Sequence, residues 1–295
     1  MSDSLSQLTE INLDDLVNSI GWQDNPTLSK AMRRTFHRPA GKFARQMLAF
    51  DQMVGETGLA AASQTMLKGY VKDVRVYGSE NLPANGPILV LSNHPGMTDT
   101  LCLFAAIHRP DLRIIALDRP FLQSLPNLSR QQFFVSEKPS ERMSAVKKTA
   151  AHLRNHGAVL TFPAGKIEPD PDVYPGALES LDAWTDSAGV FMRFAPETVI
   201  VPMLVRNVLW KNAVKNPITK LKQDRVGREK LGAAFQLMFQ VILDLHPVAV
   251  RVQIGRPITQ AETGSHDLKV IHSAVLSRMK SLIENPPDGV GISAL

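Results

Sequence analysis

From about residue 72 onward, short apolar runs alternate with amphipathic stretches, and this alternation constrains the fold more than any other feature. "VRVYG", "PILVLS", "LRIIAL", "QQFFVS", "AVLTFPAG", "TVIVPMLV" and "VAVRVQIG" read as strands. "TDTLCLFAAIH", "SERMSAVKKTAAHLRNHG" and the segments 226–245 and 265–284 read as helices. Parallel strands need crossovers, and helices between them supply these while covering the sheet. The expected class is α/β, with a mainly parallel sheet buried on both faces. Residues 1–72 show helical spacing and no strand. "LDDLVNSIG" ends in a glycine, "TLSKAMRRTF" has Thr27 as its expected N-cap, and "AGKFARQMLAFDQMVGETGLAAASQTMLKGYV" is amphipathic over a long stretch. The expected organisation is a helical subdomain over 1–72 and a sheet domain over 73–295.

The chain is long enough for a substantial core, with 44% hydrophobic and 21% charged residues in 295, so disorder is not the expectation. A single cysteine, Cys102, excludes an intramolecular disulfide framework and suits a reducing compartment. The start, "MSDSLSQLTEINLDDLVNSI", is acidic and polar, unlike a signal peptide. No apolar run approaches the ~20 residues that span a bilayer. The reading is a soluble or peripherally bound protein. A net charge of +5 suits phosphorylated ligands, nucleic acid or an anionic membrane face, or serves solubility alone.

At "LVLSNHPGMTD" a predicted strand ends, and His94 and Asp99 come just after it. Ligand sites of open α/β sheets gather at strand carboxyl ends. Pro95 keeps His94 out of the helical conformation and suits a helix start. Within one helix, residues five apart point ~140° from each other. With His94 outside the helix and Asp99 in its first turn, a bend can bring them together, and Gly96 gives that bend room. A carboxylate on Nδ1–H fixes the tautomer and leaves Nε2 as a base for a hydroxyl. No G-x-S-x-G elbow signals an enzyme-borne serine, so the hydroxyl would belong to a substrate. The plainer alternative is that Asp99 stabilises the helix start and His94 only packs.

"VYGSENLPANGPILVLSNHPGMTDT", with Gly78, Asn81-Leu82-Pro83, Gly86 and Asn93, resembles the opening block of the glycerolipid (lysophosphatidate-type) acyltransferases, whose signature is N-H-x-x-x-x-D. "GAVLTFPAGK" resembles that family's F-P-E-G-T-R block, and "VIVPMLV" its apolar strand with a proline. The resemblance covers roughly residues 74–205. It implies an αβ sandwich around a mixed sheet, with His94 as catalytic base and Asp99 as its orienting partner. The implied reaction moves a fatty acyl group from acyl-ACP or acyl-CoA to a lysolipid hydroxyl, with no metal or cofactor, because a thioester is already activated. Backbone N–H groups near Gly96 and at the start of the following helix are the expected oxyanion donors, by position. The implied substrate-binding residues are Asn93, Gly96, Glu137, Lys138, Arg142, Phe162, Pro163, Ala164, Gly165 and Lys166.

The third block departs from the pattern. Ala164 stands where the family has glutamate, and Ile167 where it has arginine, leaving Lys166 as a point charge without a bidentate fork. In "FFVSEKPSER", Glu137 or Lys138 occupies the second block's arginine position, with Arg142 a few residues on. These positions help bind the acceptor phosphate in the family. An F-P-A-G version resembles the subgroup that includes acyltransferases for lyso-ornithine-type lipids. The acceptor is therefore expected to be lysophosphatidate or a lyso-ornithine-type lipid.

Cys102 lies in "TLCLFAAI" and reads as a buried small hydrophobe. His108, His152 and His156 lack metal-ligand spacing and read as surface or helix-end residues. "IEPDPD" has carboxylates enough to suggest a cation site, but its prolines make a stiff polar loop the better reading. "RNVLWKNAVKNPITKLKQDRVGREK" is basic and carries Trp210, and the apolar "AAFQLMFQVILDL" comes next, a pattern suited to an anionic membrane. No nucleic-acid-binding motif accompanies the charge. The expected enzyme is a cytoplasmic acyltransferase, peripheral on the inner face of the membrane. A soluble glycerol-3-phosphate acyltransferase and an idle lipid-binding protein are the alternatives.

Overall fold

The computed structural model describes the chain except residues 1, 137–138, 215, 218, 220–226, 229–230, 233–235, 237–239, 241–244, 247 and 266. It opens with three helices: α1 (Ser2–Ile20), α2 (Pro26–Thr57) and α3 (Leu59–Leu67). Asn25, not Thr27, caps α2. Its side chain accepts the Leu28 N–H at 3.1 Å, and Pro26 at the first helical position has no N–H to satisfy. The stretches expected on either side of Pro39 are one continuous helix.

The strands are β1 (Asp73–Tyr77), β2 (Ile88–Ser92), β3 (Arg113–Leu117), β4 (Gln132–Val135), β5 (Ala158–Thr161), β6 (Val199–Arg206), β7 (Ala249–Ile254) and β8 (Ile292–Ser293). They form one sheet in the order β4-β3-β5-β2-β6-β7-β1-β8. The first five positions run parallel. β7 is antiparallel to β6, β1 is parallel to β7, and β8 is antiparallel to β1. The sheet is therefore mixed and mainly parallel, and the class is α/β as expected. Each predicted strand is present. The expected helix over 226–245 falls mostly outside the described residues.

β2 reads Ile-Leu-Val-Leu-Ser with no polar alternation because both of its faces are covered. Ile88 and Val90 point into a core shared with Val54 of α2, Leu67 of α3 and Leu103 of helix α4 (Met97–Ile107). Leu89 and Leu91 point into a second core with Phe191 and Val275, from helices Ser187–Phe194 and Leu268–Glu284. The N-terminal helices thus lean on one face of the sheet. Their core is continuous with it through Leu8, Phe43 and Phe50.

This order sets β5 and β6 on either side of β2. Leu91 faces Thr161 of β5 and Pro202 of β6. The carboxyl ends of these three parallel strands lie side by side. The segments that leave β2, β5 and β6 therefore start next to one another, at one edge of the molecule.

Candidate functional site

After Ser92 the chain leaves β2 but stays tied to β6. The Asn93 amide donates to Val205 O at 2.8 Å and accepts Val205 N–H at 2.8 Å. Asn93 is buried and both ends of its amide are engaged. It therefore extends the sheet by one side chain and fixes where His94 starts.

Gly96 is the N-cap of helix α4, and its backbone is extended (φ 172°, ψ −177°). Glycine is thus not required there by a left-handed conformation, and a Cβ would meet Val208 at only ordinary contact, 3.4 Å. The bend brings Asp99 back over the chain. Its Oδ2 accepts the Gly96 N–H at 2.9 Å and meets His94 Nδ1 at 2.8 Å. Its Oδ1 accepts the N–H and the hydroxyl of Thr100. The two readings of Asp99, helix-start stabiliser and histidine partner, are both realised by the same buried carboxylate. The Gly96 N–H itself is therefore taken up by Asp99.

The His94 ring stacks on Phe162, with centroids 4.4 Å apart and 21° between the planes. Its side chain keeps 26% exposure, whereas that of Asp99 has none. Burial lowers the imidazole's proton affinity, but Asp99's charge and hydrogen bond, helped by the charge of Glu168, raise it above the ordinary 6.5.

Phe162 to Lys166 form the turn after β5. Gly165 N–H donates to Phe162 O at 3.0 Å with Gly165 at φ 61°, a left-handed conformation that favours glycine. Pro163 is buried, Ala164 half-buried, and Lys166 exposed. Of the second-block positions, Glu137 and Lys138 lie outside the described residues. Arg142 is exposed near the start of helix Pro139–Arg154, and its Nε donates to Ser136 O at 3.4 Å. That helix comes after β4, the edge strand three positions from β2.

The loop "IEPDPD" is part of the site, which its sequence does not announce. It is a loop, as expected, but not a solvated one, for Glu168 and Asp170 are 1% and 0% exposed. Glu168 Oε2 accepts His94 N–H at 3.1 Å, and Glu168 N–H donates to His94 O at 2.9 Å. Glu168 Oε1 accepts from Trp184 Nε1 at 2.8 Å and Ser180 Oγ at 3.1 Å. Burial pushes the Glu168 carboxyl up to about 6 against these bonds. Asp170 accepts the N–H groups of Asp172, Asn207, Val208 and Leu209, at 2.7–3.1 Å. Asp172 pairs with Arg206 and Arg251. Three alternate carboxylates thus fasten this loop to the ends of β2 and β6 and to β7. Among the described residues, no group of three His, Cys, Asp or Glu could hold a metal ion. The alternation of acid and proline is the only trace of this arrangement in the sequence.

Cys102 is buried beneath the site in α4, and burial pushes its thiol well up, as befits a small core residue. His108 and His156 are exposed at helix ends in left-handed conformations, and His152 bonds Asp111 O at 2.8 Å. None of the three belongs to the site.

Residues 73–206 match the family model described as "Acyltransferase". Two uncharacterized proteins, Mb0514 of Mycobacterium bovis and Rv0502 of Mycobacterium tuberculosis, are each 36% identical over 138 residues. The match covers 42% of this chain and spans 37% of the length of each of those proteins. The crystal structure of the 1-acyl-sn-glycerophosphate (LPA) acyltransferase PlsC from Thermotoga maritima aligns over 95% of this chain and 96% of that one, with 17% identity and a TM-score of 0.43.

Proposed function

We propose that this chain, whose residues 73–206 match the acyltransferase family model, moves a fatty acyl group from an acyl thioester to a lysolipid hydroxyl. The observation that carries the reading is the 2.8 Å contact between His94 Nδ1 and the buried Asp99 Oδ2. With Nδ1–H donated to the carboxylate, Nε2 is the free base. It takes the proton of the acceptor hydroxyl as that oxygen attacks the thioester carbonyl carbon. A C–O bond forms and the carbonyl oxygen becomes an oxyanion. Its collapse breaks the C–S bond, and the imidazolium returns the proton to the departing thiolate. Asp99 steadies the imidazolium between those two transfers.

Either acyl-ACP or acyl-CoA supplies the thioester. On the acceptor side, Ala164 and Ile167 replace the glutamate and arginine of the usual third block, and Lys166 offers one exposed point charge. That set suits a lyso-ornithine-type head group better than a phosphomonoester. The net charge of +5 suits an enzyme working peripherally at an anionic, cytoplasmic membrane face. Among the described residues, no helix is long and apolar enough to cross a membrane.

The test offers the purified chain acyl-CoA and acyl-ACP, each with a panel of lysolipids and with glycerol 3-phosphate, and tracks thiol release and acylated product. Acylation of a lysolipid, with lyso-ornithine-type acceptors preferred, is the expected result. Lysophosphatidate as best acceptor by a wide margin overturns the acceptor assignment. Preferred use of glycerol 3-phosphate replaces the lysolipid with a soluble acceptor. No thioester consumption with any acceptor overturns the enzyme reading.

A further inference from the structure

The His94 backbone is gripped at both of its polar groups by a single residue. Its N–H goes to the Glu168 carboxylate and its C=O to the Glu168 N–H, at 3.1 and 2.9 Å. His94 lies just past a strand and just before a helix, where no ladder or helical bond holds it. The grip is therefore what fixes the backbone from which the imidazole projects. The carboxylate is held in turn by Trp184 Nε1 and Ser180 Oγ on its other oxygen. Two N–H donors, from His94 and Trp184, thus converge on a side chain only 1% exposed, while the single Ser180 hydroxyl proton is shared between Glu168 and Ala177 O at 2.7 Å. An apolar or amide residue would leave at least one donor facing nothing or facing another donor.

We propose that Glu168 is a positioning residue for His94, holding the base on Asp99 and Phe162 and adding a second negative charge near its imidazole. This rests on the acyltransferase reading for its consequence in turnover, but not for its consequence in titration. Among the described residues, the ionisable groups that act on His94 are Asp99 from α4 and Glu168 from the loop after β5. Phe162, the partner from the turn after β5, is uncharged. Asp99 fixes the ring through Nδ1, and Glu168 fixes the chain behind it. Both charges favour the imidazolium and so strengthen the base. A carboxylate at Glu168 therefore raises the plateau rate, even though it moves the acidic limb of the rate profile to higher pH.

The experiment uses the full chain with histidine labelled for NMR, the His94 signal assigned by its loss in His94→Ala. In Glu168→Gln the His94 imidazole pKa falls below the wild-type value. The acidic limb of kcat moves down with it, and the plateau kcat drops roughly tenfold or more with KM within about twofold. Trp184→Phe keeps a ring in place but removes one donor to Glu168, and shifts both readouts in the same direction by less. If Glu168→Gln does not fold, Trp184→Phe decides. A shifted His94 titration supports the assignment and an unshifted one overturns it. A folded Glu168→Gln that loses only thermal stability, with His94 titration and kcat unchanged, overturns it too. If the wild type transfers no acyl group at all, the function falls, and the titration arm still answers for Glu168.

Discussion

Asp99 is a single carboxylate with two partners on one oxygen, the Gly96 N–H and His94 Nδ1. An amide keeps one accepting oxygen and turns an NH2 group either to these two donors or to the Thr100 N–H on the other side, and it cannot steady an imidazolium. Asp99→Asn should therefore fold yet lose on the order of 100-fold or more in turnover, a loss read by steady-state thiol release. The raised proton affinity of His94 sets a pH dependence. Below its folded pKa the base is protonated and idle, so kcat/KM should climb as pH rises through an apparent value above 6.5. A plateau already reached below pH 6.5 would contradict this. The same shift stabilises the fold below 6.5, a contribution lost as pH rises through the folded value. The His94 and Asp99 pair is legible in the sequence because both residues belong to one local turn with a proline fixing its entry. Glu168 is not, because it acquires meaning only when β5 is known to lie beside β2, some 70 residues away in the chain.

The elements around the site are joined by Asp170. It collects four backbone N–H groups, three of them from the residues just after β6. Burial raises its proton affinity and those bonds oppose the rise. Asp170→Asn would turn an NH2 group towards donors and should cost about 1–3 kcal/mol in chemical denaturation. The loosening would reach Gly96, which packs against Val208 and Leu209. The strands are legible as apolar runs, since a short β-branched run between turn residues suits a strand buried on both faces and little else. The strand order is not, because the crossover from β2 to β3 skips the position that β5 later fills. Thr27 loses the cap to Asn25 because a proline prefers the slot just after a cap. The acidic loop reads only as a stiff polar loop in the sequence because its donors, the N–H groups beyond β6, come from 35 or more residues downstream.

For the whole molecule, the helices of residues 2–67 are cored together with the sheet, so the segment before Asp73 supports one face of the sheet domain. The membrane contact is a sequence-based expectation. Of Lys211, Lys215, Lys220 and Lys222, only Lys211 is among the described residues. Reversing all four charges should weaken binding to anionic vesicles by about 1 kcal/mol per residue near the surface, and salt should do the same to the wild type. Co-sedimentation insensitive to both would put the docking surface elsewhere. The proposed chemistry stands on His94 acting as a base, and one comparison tests that most directly: acyl-thioester turnover by wild type and by His94→Ala, with circular dichroism and thermal melting checked in parallel. A folded variant whose turnover falls on the order of 100-fold or more is the result expected. A folded His94→Ala chain with near-normal turnover would contradict it.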